Sequence, residues 1–229
     1  MKKSFSLIEL LIVILISGIL YSSVVSSLSD SSLNQVADKL ITHINYTRHL
    51  AIKNNKMQYY PIDYSIVEGN RSKYWFKQWW QLRIGKNNDG DYFYEIFSDS
   101  PYSKSNIFNK VGGPVSEFAI DPYNHLYMAG NYASNPNKEL NLSYYHIKVL
   151  KYNDEVLNSG SIRIIFDNDG NFYTSEGDKG DNGDINPYDK DKRMMSLKRA
   201  KITLCQDENC KKNINICLTP KIGKIYLCE

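Results

Sequence analysis

The sequence predicts an α+β protein: one long amino-terminal helix packed on an antiparallel β domain. Three observations predict it. An apolar run from Phe5 to Val25 leads into apolar residues at helical spacing, with no proline between Phe5 and Lys53. Beyond Lys53, short stretches rich in aromatic and β-branched residues alternate with Asn, Asp and Gly turns. All four cysteines fall in the last 25 residues, as in a domain closed by disulfides.

The helix begins with the most unusual stretch. Met1 to Val25 reads MKKSFSLIELLIVILISGILYSSVV, and roughly 20 apolar residues are enough to cross a bilayer. Lys2 and Lys3 bias the amino end to the cytoplasmic side, which puts the rest of the chain outside the inner membrane. Glu9 sits inside the run, where a carboxylate at membrane depth costs about 2.5–3.5 kcal/mol. The run contains no Lys or Arg, which points to a counter-charge from another subunit. A cut between Ser4 and Phe5 would create such a charge, a terminal amine able to pair with Glu9 of a neighbour, and would remove both lysines.

From Ser29 the apolar positions are Leu33, Val36, Ala37, Leu40, Ile41 and Ile44, continued by Thr47, Ala51 and Ile52. That spacing is an amphipathic stripe. One helix of about 50 residues, roughly 75 Å long, follows, with Asn54-Asn55 at its end.

Strands are expected at Met57–Ile62, Lys73–Ile84, Tyr92–Phe97, Glu117–Asp121 and Tyr144–Lys151. More follow at Ser161–Asp167, Asn171–Thr174, Lys201–Cys205, Asn213–Thr219 and Lys224–Cys228. Asn88-Asp89-Gly90-Asp91 and Asn168-Asp169-Gly170 are hairpin turns, and Gly112-Gly113-Pro114 is a break. Trp75, Trp79 and Trp80, with Tyr74 and Phe76, fit a strand with one face in the core and one out, and core packing is the preferred reading over a ligand platform.

Ser4-Phe5-Ser6-Leu7-Ile8-Glu9-Leu10-Leu11-Ile12-Val13 closely resembles the cleavage and methylation segment of type IV pilins and type II secretion pseudopilins. The resemblance implies a dedicated peptidase that cuts before Phe5 and methylates its nitrogen, and a role for Glu9 in docking into the filament. One position departs from that family: the residue before the cut is usually Gly, and here it is Ser4. The rest of the chain is similar in order to minor pseudopilins of the GspH/FimT kind. The matching pieces are Tyr46 to Asn54, the three tryptophans, Ile162 to Gly170, and Gly223-Lys224-Ile225. Ser98 to Tyr144 and the Asp-rich stretch below lie outside that pattern.

Cys205, Cys210, Cys217 and Cys228 read as two disulfides. Four cysteines allow three pairings. Cys205–Cys210 with Cys217–Cys228 is favoured, because the second would staple a hairpin turning at Pro220 to Gly223; peptide mapping decides among them. Zinc is the weaker reading, since there is no CxxC and His146 is far away in sequence.

Asp178 to Asp191 reads DKGDNGDINPYDKD. Counted from Asp178 as a twelve-residue calcium loop, it offers Asp178, Asn182, the carbonyl of Asp184, Asn186 and Asp189, with Gly183 at the sharp turn. Gly180 stands where a ligand is expected and Asp189 where Glu is usual. A solvated acidic loop built of ordinary turn formers explains the same residues, so calcium and no cofactor at all both stand.

His43, His49, His125 and His146 are scattered and read as surface or interface residues. There is no HExxH, G-x-S-x-G or P-loop pattern, which argues against an enzyme. Lys192-Arg193, Lys198-Arg199 and Lys201 form a small basic cluster, read as a charged solvated face. With a net charge of +3, DNA is a partner by no more than that cluster.

The expected organisation is a leader at 1–4, a transmembrane or filament-core helix at 5–28, and a periplasmic pilin-like domain at 29–229. The function the resemblance implies is a minor pseudopilin or pilin subunit without catalysis of its own. Its partners would be the prepilin peptidase, sister pilins and an inner-membrane assembly machine. The alternatives are a DNA-binding minor pilin of a competence apparatus, a membrane-anchored enzyme, and a plain anchor or secretory signal peptide cut within Tyr21 to Ser32.

Overall fold

The computed structural model describes residues 7–55, 78–98, 118–131, 136–175 and 199–228, with only the backbone of 22–31 and 175. Helix α1 runs unbroken over Leu7–Lys53 for 47 residues, about 70 Å at 1.5 Å per residue. It stops where expected: the amide of Asn54 makes the last helical bond, to Leu50 O at 2.8 Å. Its second half buries Leu33, Val36, Ala37, Leu40, Ile44, Thr47 and Ala51 on one face. Ile52, expected on that stripe, is 48% exposed, with its Cδ1 lying beside the Gly170 turn.

Among the described residues, nine strands form two antiparallel sheets. The first has the order β2-β1-β5-β6, from β1 (Gln81–Lys86), β2 (Tyr92–Phe97), β5 (Ser161–Phe166) and β6 (Phe172–Ser175). The second has the order β4-β3-β7-β8-β9, from β3 (Val149–Tyr152), β4 (Glu155–Val156), β7 (Ala200–Cys205), β8 (Asn213–Leu218) and β9 (Ile225–Cys228). The period-2 alternation of each strand points Leu82, Ile84, Tyr94, Ile96, Ile164 and Phe166 to the same core as Leu150, Ile202, Leu204, Ile216 and Leu218. The stripe of α1 fills the space between them.

The β1–β2 and β5–β6 turns use one chemistry. In each, a residue ahead of Asn-Asp-Gly caps the loop with its side chain. Asn87 Oδ1 accepts from Asp91 N at 2.8 Å, and Asp167 Oδ1 accepts from Asn171 N at 2.8 Å. Gly90 and Gly170 supply the left-handed residue, φ 89° and 77°. The hairpin of β3 and β4 escaped the sequence reading. Asn153 and Asp154 both take positive φ, 48° and 70°, in a two-residue turn joining β3 to β4.

Other expectations need correcting. The strand expected over Lys73–Ile84 begins only at Gln81, and among its described residues Trp79 and Trp80 precede it. Both are buried, so strict alternation fails there because neither lies in a pleated strand, while the core-packing reading of these two holds. Glu117–Asp121 contributes isolated bridges at Phe118 and Ile120 instead of a full strand. Tyr144–Lys151 starts as a 3-10 turn, Leu142–Tyr145, because Asn141 Oδ1 caps the amides of Ser143 and Tyr144; the strand begins at Val149. Met57–Ile62, Trp75, Tyr74, Phe76 and Gly112-Gly113-Pro114 lie outside the described residues.

The far face of the first sheet carries a buried charged row. Arg83 stands opposite both Glu95 and Arg163 in register, and Arg83 Nη2 meets Glu95 Oε1 at 2.8 Å. Burial pushes the Glu95 carboxyl up, against the pull of Arg83 and Arg163.

Disulfides close the second sheet. Cys205 is bonded to Cys210 and Cys217 to Cys228, and none of the four is free. This is the pairing favoured from the hairpin argument. Between the first two, Asp207 accepts amide hydrogen bonds from Lys212, Asn209 and Lys211, which hold its carboxyl below the usual range.

Candidate functional site

The first half of α1 is unlike the second. From Leu7 to Tyr21 every side chain is exposed, and the large apolar ones are at least half exposed on all sides of the helix. A helix apolar all round belongs in lipid or among other helices. No helix among the described residues is long and apolar enough to cross a membrane. Glu9 lies in the first turn of the helix. Ser4 and Phe5 lie outside the described residues. Ser17 Oγ donates to Val13 O at 2.7 Å, so its hydroxyl is satisfied within the helix. Gly18 has nothing within 4 Å of where a Cβ would stand.

A second cluster was not foreseen. His43, expected at the surface or an interface, is 4% exposed and buried within the domain. It sits on the buried stripe of α1, one position before Ile44, where strand β2 closes over it. His43 Nδ1 lies 2.8 Å from Tyr94 Oη, and His43 Nε2 lies 3.9 Å from Asp121 Oδ2. Burial lowers the imidazole to about 4, outweighing Asp121, which raises it. Burial also pushes the Tyr94 phenol well up. Beside them Lys39 Nζ meets Glu139 Oε2 at 2.8 Å and Tyr145 Oη at 3.2 Å. Burial lowers Lys39, and these two bonds more than reverse that. The cluster opens on a cleft of about 420 Å³ lined by Lys39, Thr42, His43, Asp121, Tyr123, Asn124 and Glu139. Asp121 is fixed by its own turn, with Oδ1 accepting from Tyr123 N at 2.8 Å. The Asp-Pro-Tyr-Asn segment carries a local turn signal that the strand expected over Glu117–Asp121 passed over. Its partner across the cleft was not, because 78 positions of chain separate His43 from Asp121.

The remaining sequence-derived sites divide simply. The calcium-type loop, Asp178, Asn182, Asp184, Asn186 and Asp189, lies outside the described residues. Among the described residues no group of three His, Cys, Asp or Glu could hold a metal ion. Of the basic cluster, Lys192, Arg193 and Lys198 are outside the description. Lys201 Nζ pairs with Asp154 Oδ1 at 2.6 Å, and Arg199 Nη1 lies 3.5 Å from Tyr226 Oη.

No curated protein and no solved structure matches the chain. One family does: the prokaryotic N-terminal methylation motif matches residues 1–23. Those residues include the Ser4-Phe5 junction, Glu9 and the start of the exposed apolar helix. The chain therefore carries the prepilin-type signature at its amino terminus.

Proposed function

We propose that this chain is a minor pseudopilin or minor pilin without catalysis of its own. A prepilin peptidase cuts it before Phe5 and methylates the new amine. The apolar helix then leaves the inner membrane and packs among the helices of sister subunits, with Glu9 facing the amine of a neighbour. The observation that carries this reading is the methylation motif leading directly into a helix exposed on all sides over Leu7 to Tyr21. The second half of the same helix is fixed to the domain, so the first half stands ready for a different partner. A DNA-binding role has weaker support, because Lys201 of the basic cluster is already paired with Asp154.

The test is mass measurement of the mature amino terminus from cells with and without the peptidase. The expected product lacks Met1 to Ser4 and begins with methylated Phe5 only when the peptidase is present. An intact Met1, or an unmodified start near Ser23 to Ser29, would overturn the proposal. Glu9→Leu is expected to leave cleavage intact and to drop incorporation into filaments to background. Incorporation at the unmutated level would remove Glu9 from the docking step.

A further inference from the structure

The middle of α1, strand β2 and the hairpin spanning Phe118 to Ala129 meet at one buried imidazole. That hairpin is fastened in two places. Its base pairs with the edge of β2, through Ala119 N to Ile96 O and Ile96 N to Met128 O, both 2.9 Å. Its tip reaches the helix, where Tyr46 Oη donates to Ile120 O at 2.9 Å and Asp121 faces His43. We propose that His43 is an acid-operated latch, whose protonation lifts the hairpin tip off the helix while both sheets stay folded.

The geometry supplies the reason. A protonated ring donates from both nitrogens. Tyr94 Oη must then serve as an acceptor for Nδ1, and Nε2 faces Asp121 across 3.9 Å, too far for a direct hydrogen bond. The charged and titratable groups around the ring come from every element packed there. Lys39 and Tyr46 lie on its own helix, Tyr94 on β2 and Asp121 on the hairpin. Glu139 and Tyr145 lie on the 3-10 turns Lys138–Leu140 and Leu142–Tyr145. Lys39 repels a new charge, while Asp121 and Glu139 attract it. Burial outweighs both carboxylates, so the charged ring gains most by meeting water. The cleft already lies beside Asp121, and lifting the tip breaks few contacts compared with opening the core. The tip exposes Ile120, Tyr123, Leu126 and Tyr127, so its movement changes an exposed apolar surface.

The sign follows from the lowered basicity. The folded ring takes its proton only near pH 4, whereas an exposed histidine does so near 6.5. The closed latch is fully held above about pH 6.5 and is lost as pH falls toward 4. The experiment is amide hydrogen exchange, read by mass spectrometry on the full chain in detergent at about pH 7 and about pH 4.5, corrected for intrinsic exchange. Protection over residues 119–128 is expected to fall about tenfold or more in acid while β7 and β8 keep theirs, and His43→Gln is expected to abolish the difference. Unchanged protection in acid, or the same loss in His43→Gln, overturns the latch. Should His43→Gln lose protection in β7 and β8 at neutral pH, the wild-type ring decides by NMR. A ring titrating near pH 4 together with hairpin amides supports the proposal, and one titrating at about 6.5 or above overturns it.

Discussion

Gly223→Ala is expected to destabilise the folded domain by about 2–4 kcal/mol. Two effects add. Gly223 has φ +62°, a left-handed conformation that costs an L-residue about 1–2 kcal/mol. A Cβ there would also stand 2.9 Å from Phe166 Cε1 and 3.2 Å from Phe172 Cβ. Both rings belong to the first sheet and are fully buried, so neither has room to give way. The turn is a joint between the sheets: Lys221 O accepts the amide of Phe172 at 3.0 Å. Gly90→Ala separates the two effects, since its φ is also positive but its nearest neighbour would be Lys86 Cε at 3.9 Å. Denaturant midpoints of the full chain in detergent should fall clearly more for Gly223→Ala than for Gly90→Ala. Equal losses would mean that the contact with the phenylalanines contributes nothing.

Removing the Cys217–Cys228 bond as the double variant Cys217→Ala/Cys228→Ala is expected to cost about 3 kcal/mol. The bond closes a loop with a sequence separation of 11, and it holds β9, the edge strand of its sheet, against β8. The Cys205–Cys210 bond closes a shorter loop, with a separation of 5, so the Cys205→Ala/Cys210→Ala variant should cost about 2 kcal/mol. Asp207 pins that second loop independently through three backbone amides, which narrows its dependence on the bond further. Chemical denaturation of the oxidised and doubly substituted chains measures both losses. A smaller loss for the Cys217–Cys228 variant than for the other would contradict this ordering.

Much of the fold was legible because its signals are local. The stripe Leu33, Val36, Ala37, Leu40 and Ile44 is fixed by helical period alone. Asn-Asp-Gly names its hairpins wherever strands flank it, and Tyr92–Phe97 appears with the bounds expected. The errors arise where capping or long-range packing overrides propensity. Tyr144 and Tyr145 have strong strand preference, yet Asn141 captures their segment into a 3-10 turn. Asn153-Asp154 was passed over because a two-residue strand, Glu155–Val156, leaves almost no alternating pattern to find.

The candidate sites divide in the same way. The methylation motif is a contiguous stretch and could be read whole from the chain. The His43, Tyr94 and Asp121 cluster is assembled from three distant segments, and a lone histidine on a helix carries no local sign that it will be buried. Its position on the apolar stripe, adjacent to Ile44 and three residues after Leu40, was the one clue available.

The anchoring half of α1 leans on strands made long after it. Its stripe is complete by Ala51, whereas β8 and β9, which help to cover it, begin at Asn213 and Ile225. During synthesis that greasy seam therefore waits, naked, for nearly the whole remaining chain. Long-range closure of this kind is slow, and the waiting interval is an opening for chaperones and for mispairing between nascent copies. The soluble yield of this chain should accordingly be sensitive to holdase supply at expression levels that a domain closed by local contacts would tolerate.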